Sequence, residues 1–177
     1  TPLSQRVMHD LILQHIAQHI QLDEAEKAYF SSLLKHRRIA KRQFLLQEGE
    51  VCRHEYFVVK GCLRTYEMDE GGQEHVLMFS IENWWAGDLY SFFTNTPTRY
   101  NVEALEDTDV LMLDFQAHQL LYERVPKFER YFRILFQNAF IALQRRVISN
   151  ISKTAEERNQ EFLERYPTLE QRVPQHH

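Results

Sequence analysis

Between Ile39 and Asp114 the chain alternates short apolar runs with glycine and acid, and the aromatic and β-branched residues in these runs predict strands rather than helices. The runs are Ile39 to Gln47, Glu55 to Lys60, Cys62 to Glu67, Glu74 to Ser80, Asn101 to Leu105 and Asp109 to Asp114. Gly61 allows the bend between the second and third, and Gly71-Gly72 sits where a tight hairpin needs positive φ. Several short strands at this spacing predict an antiparallel β-roll of jelly-roll type.

On either side the period is that of helices. Leu3, Val7, Leu11, Ile12, Ile16 and Ile20 recur at three- and four-residue steps, and Asp23-Glu24-Ala25-Glu26 opens a second helix whose apolar face is Phe30, Leu33 and Leu34. After the roll, residues 115 to 124 read as a short helix and Pro126 opens a long one. Its stripe runs Phe128, Phe132, Leu135, Phe136, Ala139, Phe140, Leu143, Val147, Ile148 and Ile151, longer than one roll can cover, so a second copy is expected on it. Phe132, Phe136, Phe140, Leu143 and Val147 are the candidate dimer contacts. Thr154 with Glu157 forms a capping-box signal for a last helix, stopped at Pro167. The fold class is therefore α+β, mainly β-roll. Its segments are residues 1–36 (helical), 37–125 (roll), 126–153 (long helix) and 154–177 (a further helix and the closing polar residues).

Charge and chemistry narrow the function. A formal net charge of −4 gives no overall footprint for nucleic acid. No apolar run has the length of a membrane span, and the first residues lack the order of a secretory signal, so the expectation is a cytoplasmic protein without a membrane partner. Cys52 and Cys62 are too few for a disulfide framework or four-thiolate iron–sulfur ligation, and read as two buried or idle thiols. His15 and His19 share a helix face but lack a further ligand, and read as a solvated pair. No His-x-His pair, Ser-His-Asp set or phosphate-cradling glycine loop is present, so neither a catalytic residue nor a metal ligand is assigned and no enzyme is expected.

The ordered series Glu48-Gly49-Glu50, Val59-Lys60-Gly61, Asp69-Glu70-Gly71 and Gly87-Asp88-Leu89 resembles the cyclic nucleotide-binding domain of CRP/FNR-family transcription regulators, from about Phe44 onward. The resemblance implies a double-stranded β-helix that holds a cyclic AMP-like effector, a dimer on the long helix, and duplex DNA bound through a helix-turn-helix domain. That domain would start at 172–175, so the present chain is expected to lack it. In the family a Gly-Glu-Leu turn holds the ribose, and an Arg followed by Ser or Thr about eleven residues on clamps the phosphate. Gly87, Asp88 and Leu89 match the turn; the clamp position falls on Thr98, with Arg99 one place late and Tyr100 after it. These six are the candidate ligand-binding residues. A loop one residue longer at Asn95-Thr96-Pro97 would turn Arg99 inward; without it Arg99 faces solvent, because neighbouring strand residues point to opposite faces. Two other readings of the same roll are a cupin-like metalloenzyme and a sensor of another small effector with a degenerate nucleotide pocket, for example a haem on His75 or Cys62.

Overall fold

The computed structural model describes residues 2–172, in two compact units that divide between Phe128 and Glu129. The expected start of a DNA-binding domain at Val173-Pro174-Gln175 and the closing His176-His177 lie outside the described residues. The first unit opens with α1 (Gln5–Ala17) and α2 (Glu24–Leu33). Eight strands follow: β1 (Lys35–Ile39), β2 (Phe44–Leu46), β3 (His54–Lys60), β4 (Leu63–Met68), β5 (Glu74–Ser80), β6 (Trp85–Ala86), β7 (Tyr100–Ala104) and β8 (Thr108–Asp114). A short α3 (Leu89–Thr94) interrupts them, and α4 (Phe115–Arg124) leads to α5 (Lys127–Ser152). The second unit holds most of α5 together with α6 (Ala155–Arg165) and a 3-10 turn, Leu169–Gln171.

Two antiparallel four-stranded sheets, ordered β1-β8-β3-β6 and β2-β7-β4-β5, form the roll. The run expected as one strand over 39–47 is two strands in different sheets, because residues 40–43 form a turn in which Arg42 takes φ 73°. Strand alternation then sorts the side chains. Tyr56, Val58 and Val110 join Leu45, Leu63, Val102 and Ala104 in the core between the sheets. Phe57, Leu111 and Leu113 alternate with them, point the other way and are fully buried as well. A helical layer lies on that outer face. His15 of α1 rests on the Phe57 ring at 5.5 Å, so it is a packing residue and not half of a solvated pair.

Local sequence sets the helix ends. Ser4 accepts the Val7 N–H, and Asp23 with Glu26 forms a reciprocal capping box. The buried side of α1 is Met8, Ile12 and Ile16, whereas Val7, expected inside, is exposed. One helical step separates the two stripes, and Met8 completes the better one. Phe30 stacks on Phe128 at 4.9 Å, and Lys127 binds the Gln21 carbonyl and Glu26, which anchors the first turn of α5.

Gly61 shows why glycine stands in the β3–β4 bend. It has φ 119°, and a Cβ there would lie 2.7 Å from the Thr108 Cα and overlap its hydroxyl. Thr108 cannot retreat, since its hydroxyl accepts the Cys62 N–H at 3.2 Å. Gly61→Ala should therefore lower stability by about 2 to 3 kcal/mol, read as a reduced urea midpoint with an unchanged slope.

Candidate functional site: the turn and strand that close the roll

Gly87 brings its backbone against β3: with φ 126°, any Cβ there would meet the His54 carbonyl at 3.3 Å and the Cys52 sulfur and Tyr56 ring at 3.5 Å. That approach fixes Asp88, whose N–H reaches the Cys52 sulfur at 3.5 Å. The Asp88 carboxylate caps α3 by accepting the Tyr90 N–H at 3.1 Å. Its second oxygen accepts the Thr98 hydroxyl at 2.8 Å. Both groups are buried. The turn acid and the residue in the clamp position are thus bonded to each other.

Backbone pairing determines which of Thr98 and Arg99 faces inward. The Thr98 N–H donates to the Glu50 carbonyl at 2.7 Å, and the Gly49 N–H donates to the Thr98 carbonyl at 2.9 Å. Ser91 ties down the preceding loop, donating to the Thr96 carbonyl at 2.5 Å and accepting the Cys52 N–H at 2.8 Å. Thr98 is held inside. Arg99 therefore points out, with its side chain 82% exposed and paired with Glu67 at 2.8 Å. Asn95, the left-handed C-cap of α3, leads into this loop, and Arg99 is not turned inward by it. Tyr100 is half-buried and donates its N–H to the Thr98 hydroxyl oxygen at 3.1 Å. Leu89 is half-buried in the first turn of α3.

Ser91, Thr65 and Ser80 escaped the sequence reading, and Cys52 is the buried thiol it expected. Ser91 and Cys52 frame the turn as described; burial raises the Cys52 thiol, which marks a packing group rather than a nucleophile. Thr65 and Ser80 share one face of β4–β5 with the core residue Leu63, since Leu63 pairs with both Ser80 and Ala104 and Thr65 pairs with Val102. Both hydroxyls are buried and without a hydrogen-bond partner. Strand periodicity at Leu63, Thr65, Met78 and Ser80 was the signal that would have found them.

Arg64 bridges Glu74 at 2.7 Å and Glu103 at 3.0 Å and covers the Tyr66 ring at 4.2 Å, linking β5, β4 and β7. His75, named above as a haem ligand in one alternative reading, meets Asp69 at 2.7 Å. Cys52 and Cys62 are both buried free thiols. Among the described residues no group of three or more His, Cys, Asp or Glu is placed to hold a metal, and no helix is long and apolar enough to cross a membrane.

Along α5 the stripe divides. Phe132 is fully buried and stacks on Phe136 at 5.9 Å, so it has no surface to present to a second copy. Phe140, Leu143 and Val147 are 58%, 46% and 49% exposed, and Ile148 and Ile151 are exposed too. With Phe136, the first three follow the four-three-four spacing of a coiled-coil seam.

The family model for the cyclic nucleotide-binding domain matches residues 36–124, half of the chain. The chain belongs to that family. Among curated proteins it is 27% identical over 145 residues to the fumarate and nitrate reduction regulatory protein of Vibrio cholerae, covering 80% of this chain and 56% of that one. It is 28% identical over 127 residues to the transcriptional activator protein anr of Pseudomonas aeruginosa, covering 72% and 51%. The chain thus spans about half the length of the curated relatives it matches. In fold it is similar to a cyclic nucleotide-binding domain from Methylobacillus flagellatus, with TM-score 0.68, 15% identity and 83% of each chain covered. Together these make it a sensor domain of the CRP/FNR type, carried on the cyclic nucleotide-binding fold.

Proposed function

We propose that this chain is the sensing and dimer-forming part of a CRP/FNR-type transcription regulator whose roll does not hold its effector by a cyclic phosphate. The Thr98–Asp88 hydrogen bond carries this reading. A cyclic phosphate is a monoanion and needs a guanidinium or an equivalent donor set. The inward position here offers a neutral hydroxyl already committed to a carboxylate, and the nearest guanidinium in sequence, Arg99, is bound to Glu67 outside. An incoming phosphate would lose a charge-assisted pair worth about 1.5 to 3 kcal/mol and would face the Asp88 charge at low dielectric. The effector that suits these residues is small and uncharged, with Thr65 and Ser80 as the inward hydroxyls still able to bond it. A cupin-like metal reaction finds no support in the described residues.

A second copy of the chain on Phe140, Leu143 and Val147 completes the module, and DNA contact belongs to a domain beyond residues 1–177. Calorimetric titration with cyclic AMP and cyclic GMP tests the central point. No heat of binding is expected up to millimolar nucleotide. Saturable micromolar binding by the wild-type chain would sink the reading, and loss of that binding in Arg99→Ala would show that Arg99 swings inward.

A further inference from the structure

Glu55 stands on the outer face of β3, in line with Phe57 and beneath α4. It is 5% exposed, and its Oε2 lies 3.4 Å from the His118 Nε2 of α4 without a hydrogen-bond partner. His118 is fully buried. The Tyr122 hydroxyl meets the same Nε2 at 3.1 Å, and the imidazole is ringed by Tyr122, Phe93 and Phe92 at 4.6, 5.7 and 5.9 Å. A carboxyl and an imidazole therefore face each other inside an aromatic wall that binds α3 and α4 to the sheet.

We propose that Glu55 and His118 form a proton-dependent latch between β3 and α4, closed while both are neutral and opened when Glu55 loses its proton. This goes beyond the sensor reading above and does not depend on what the roll binds. A neutral carboxyl and a neutral imidazole can share the space with Tyr122 at little cost. An ionised carboxylate there is costly, since Glu55 is 5% exposed and faces a neutral imidazole and aromatic rings. His118 cannot supply the charge, since burial lowers it to about 4. Burial likewise lifts Glu55 to about 8. The titratable groups around Glu55 are His118 from α4, which Tyr122 meets in turn, and the Cys52 thiol ahead of β3, which feels the Glu55 charge. From α3 come Phe92 and Phe93, without charge, and α1 places His15 on Phe57, two residues along the same face. Opening of α4 would relieve the carboxylate by admitting water. Through Val125 and Pro126, α4 is joined in the chain directly to α5.

Hydrogen–deuterium exchange of residues 115–124, measured on the whole chain at pH 6 and pH 9 and corrected for the intrinsic pH effect, tests the latch. At pH 9, one unit above the Glu55 midpoint, exchange of α4 should rise about tenfold in the wild type. Glu55→Gln, which keeps shape and cannot ionise, should abolish that rise. Equal acceleration in both proteins, or none in the wild type, would overturn the proposal. Should Glu55→Gln fail to fold, carbon-13 titration of the wild-type Glu55 carboxyl decides instead: a midpoint near 8 that moves together with α4 resonances supports the latch, and a midpoint near 4.5 removes it.

Discussion

Leu143→Glu combined with Val147→Glu should turn a dimer into a folded monomer, with the dissociation constant raised at least a thousandfold, about 4 kcal/mol. The expectation rests on the divided stripe of α5. Its N-terminal part is already covered, with Phe128 and Phe132 fully buried, so the fold keeps its core when the distal face changes. Leu143 and Val147 are roughly half exposed within a helix whose neighbouring apolar residues are just as open. Two carboxylates facing their copies across a seam would be desolvated and would repel each other, whereas in a monomer they are solvated at no cost. Asn138→Glu, on the opposite side of the helix, should leave the dimer intact and so control for added charge. Sedimentation velocity reads all three proteins. A double variant that sediments as a dimer would place the contact elsewhere.

The roll was legible in the sequence because its information is local. Gly61 and Gly71-Gly72 mark bends that other residues resist, and the runs around them are rich in aromatic and β-branched residues. Elements defined by tertiary pairing were harder to read. Residues 39–47 look like one strand, yet the turn at 40–43 sends its two ends to different sheets, a division that only the β8 and β7 partners impose. Helix α3 was missed since its six residues are shorter than two helical turns and carry no period; the Asp88 cap and the close approach of Gly87 create it. At the site, counting from Gly87 located the discrepancy at Thr98 and Arg99, but the choice between them depended on bonds to Gly49 and Glu50, nearly fifty residues away. Glu55 went unnoticed for the opposite reason. It occupies an ordinary alternating position, one step from Phe57 on the same face, and a charge there reads as a strand end until α4 is seen above it.

The pH profile of stability should carry the mark of that buried pair. Glu55 titrates near 4.5 when unfolded and near 8 when folded, so the unfolded chain gives up its proton first and stability falls as pH rises through this interval. His118 moves the other way, from 6.5 to about 4, so the unfolded chain takes up its proton first and stability rises with pH between those values. His9, His15 and His54, lowered chiefly by burial, add to that rise. Between pH 4.5 and 6.5 the Glu55 and His118 slopes oppose each other. Above 6.5 only Glu55 still titrates, and the wild type should lose about 2 kcal/mol by pH 8. In Glu55→Gln this decline should vanish, leaving a curve that rises to pH 6.5 and then stays level. In His118→Phe the His118 part of the opposing slope is gone, and the Glu55 contribution of about 5 kcal/mol at full burial should show from pH 4.5 to 8, offset only by His9, His15 and His54. Urea unfolding at half-unit steps from pH 4 to 8.5 measures all three curves. A wild-type protein as stable at pH 8 as at 6.5 would mean that Glu55 is already ionised and solvated in the native state.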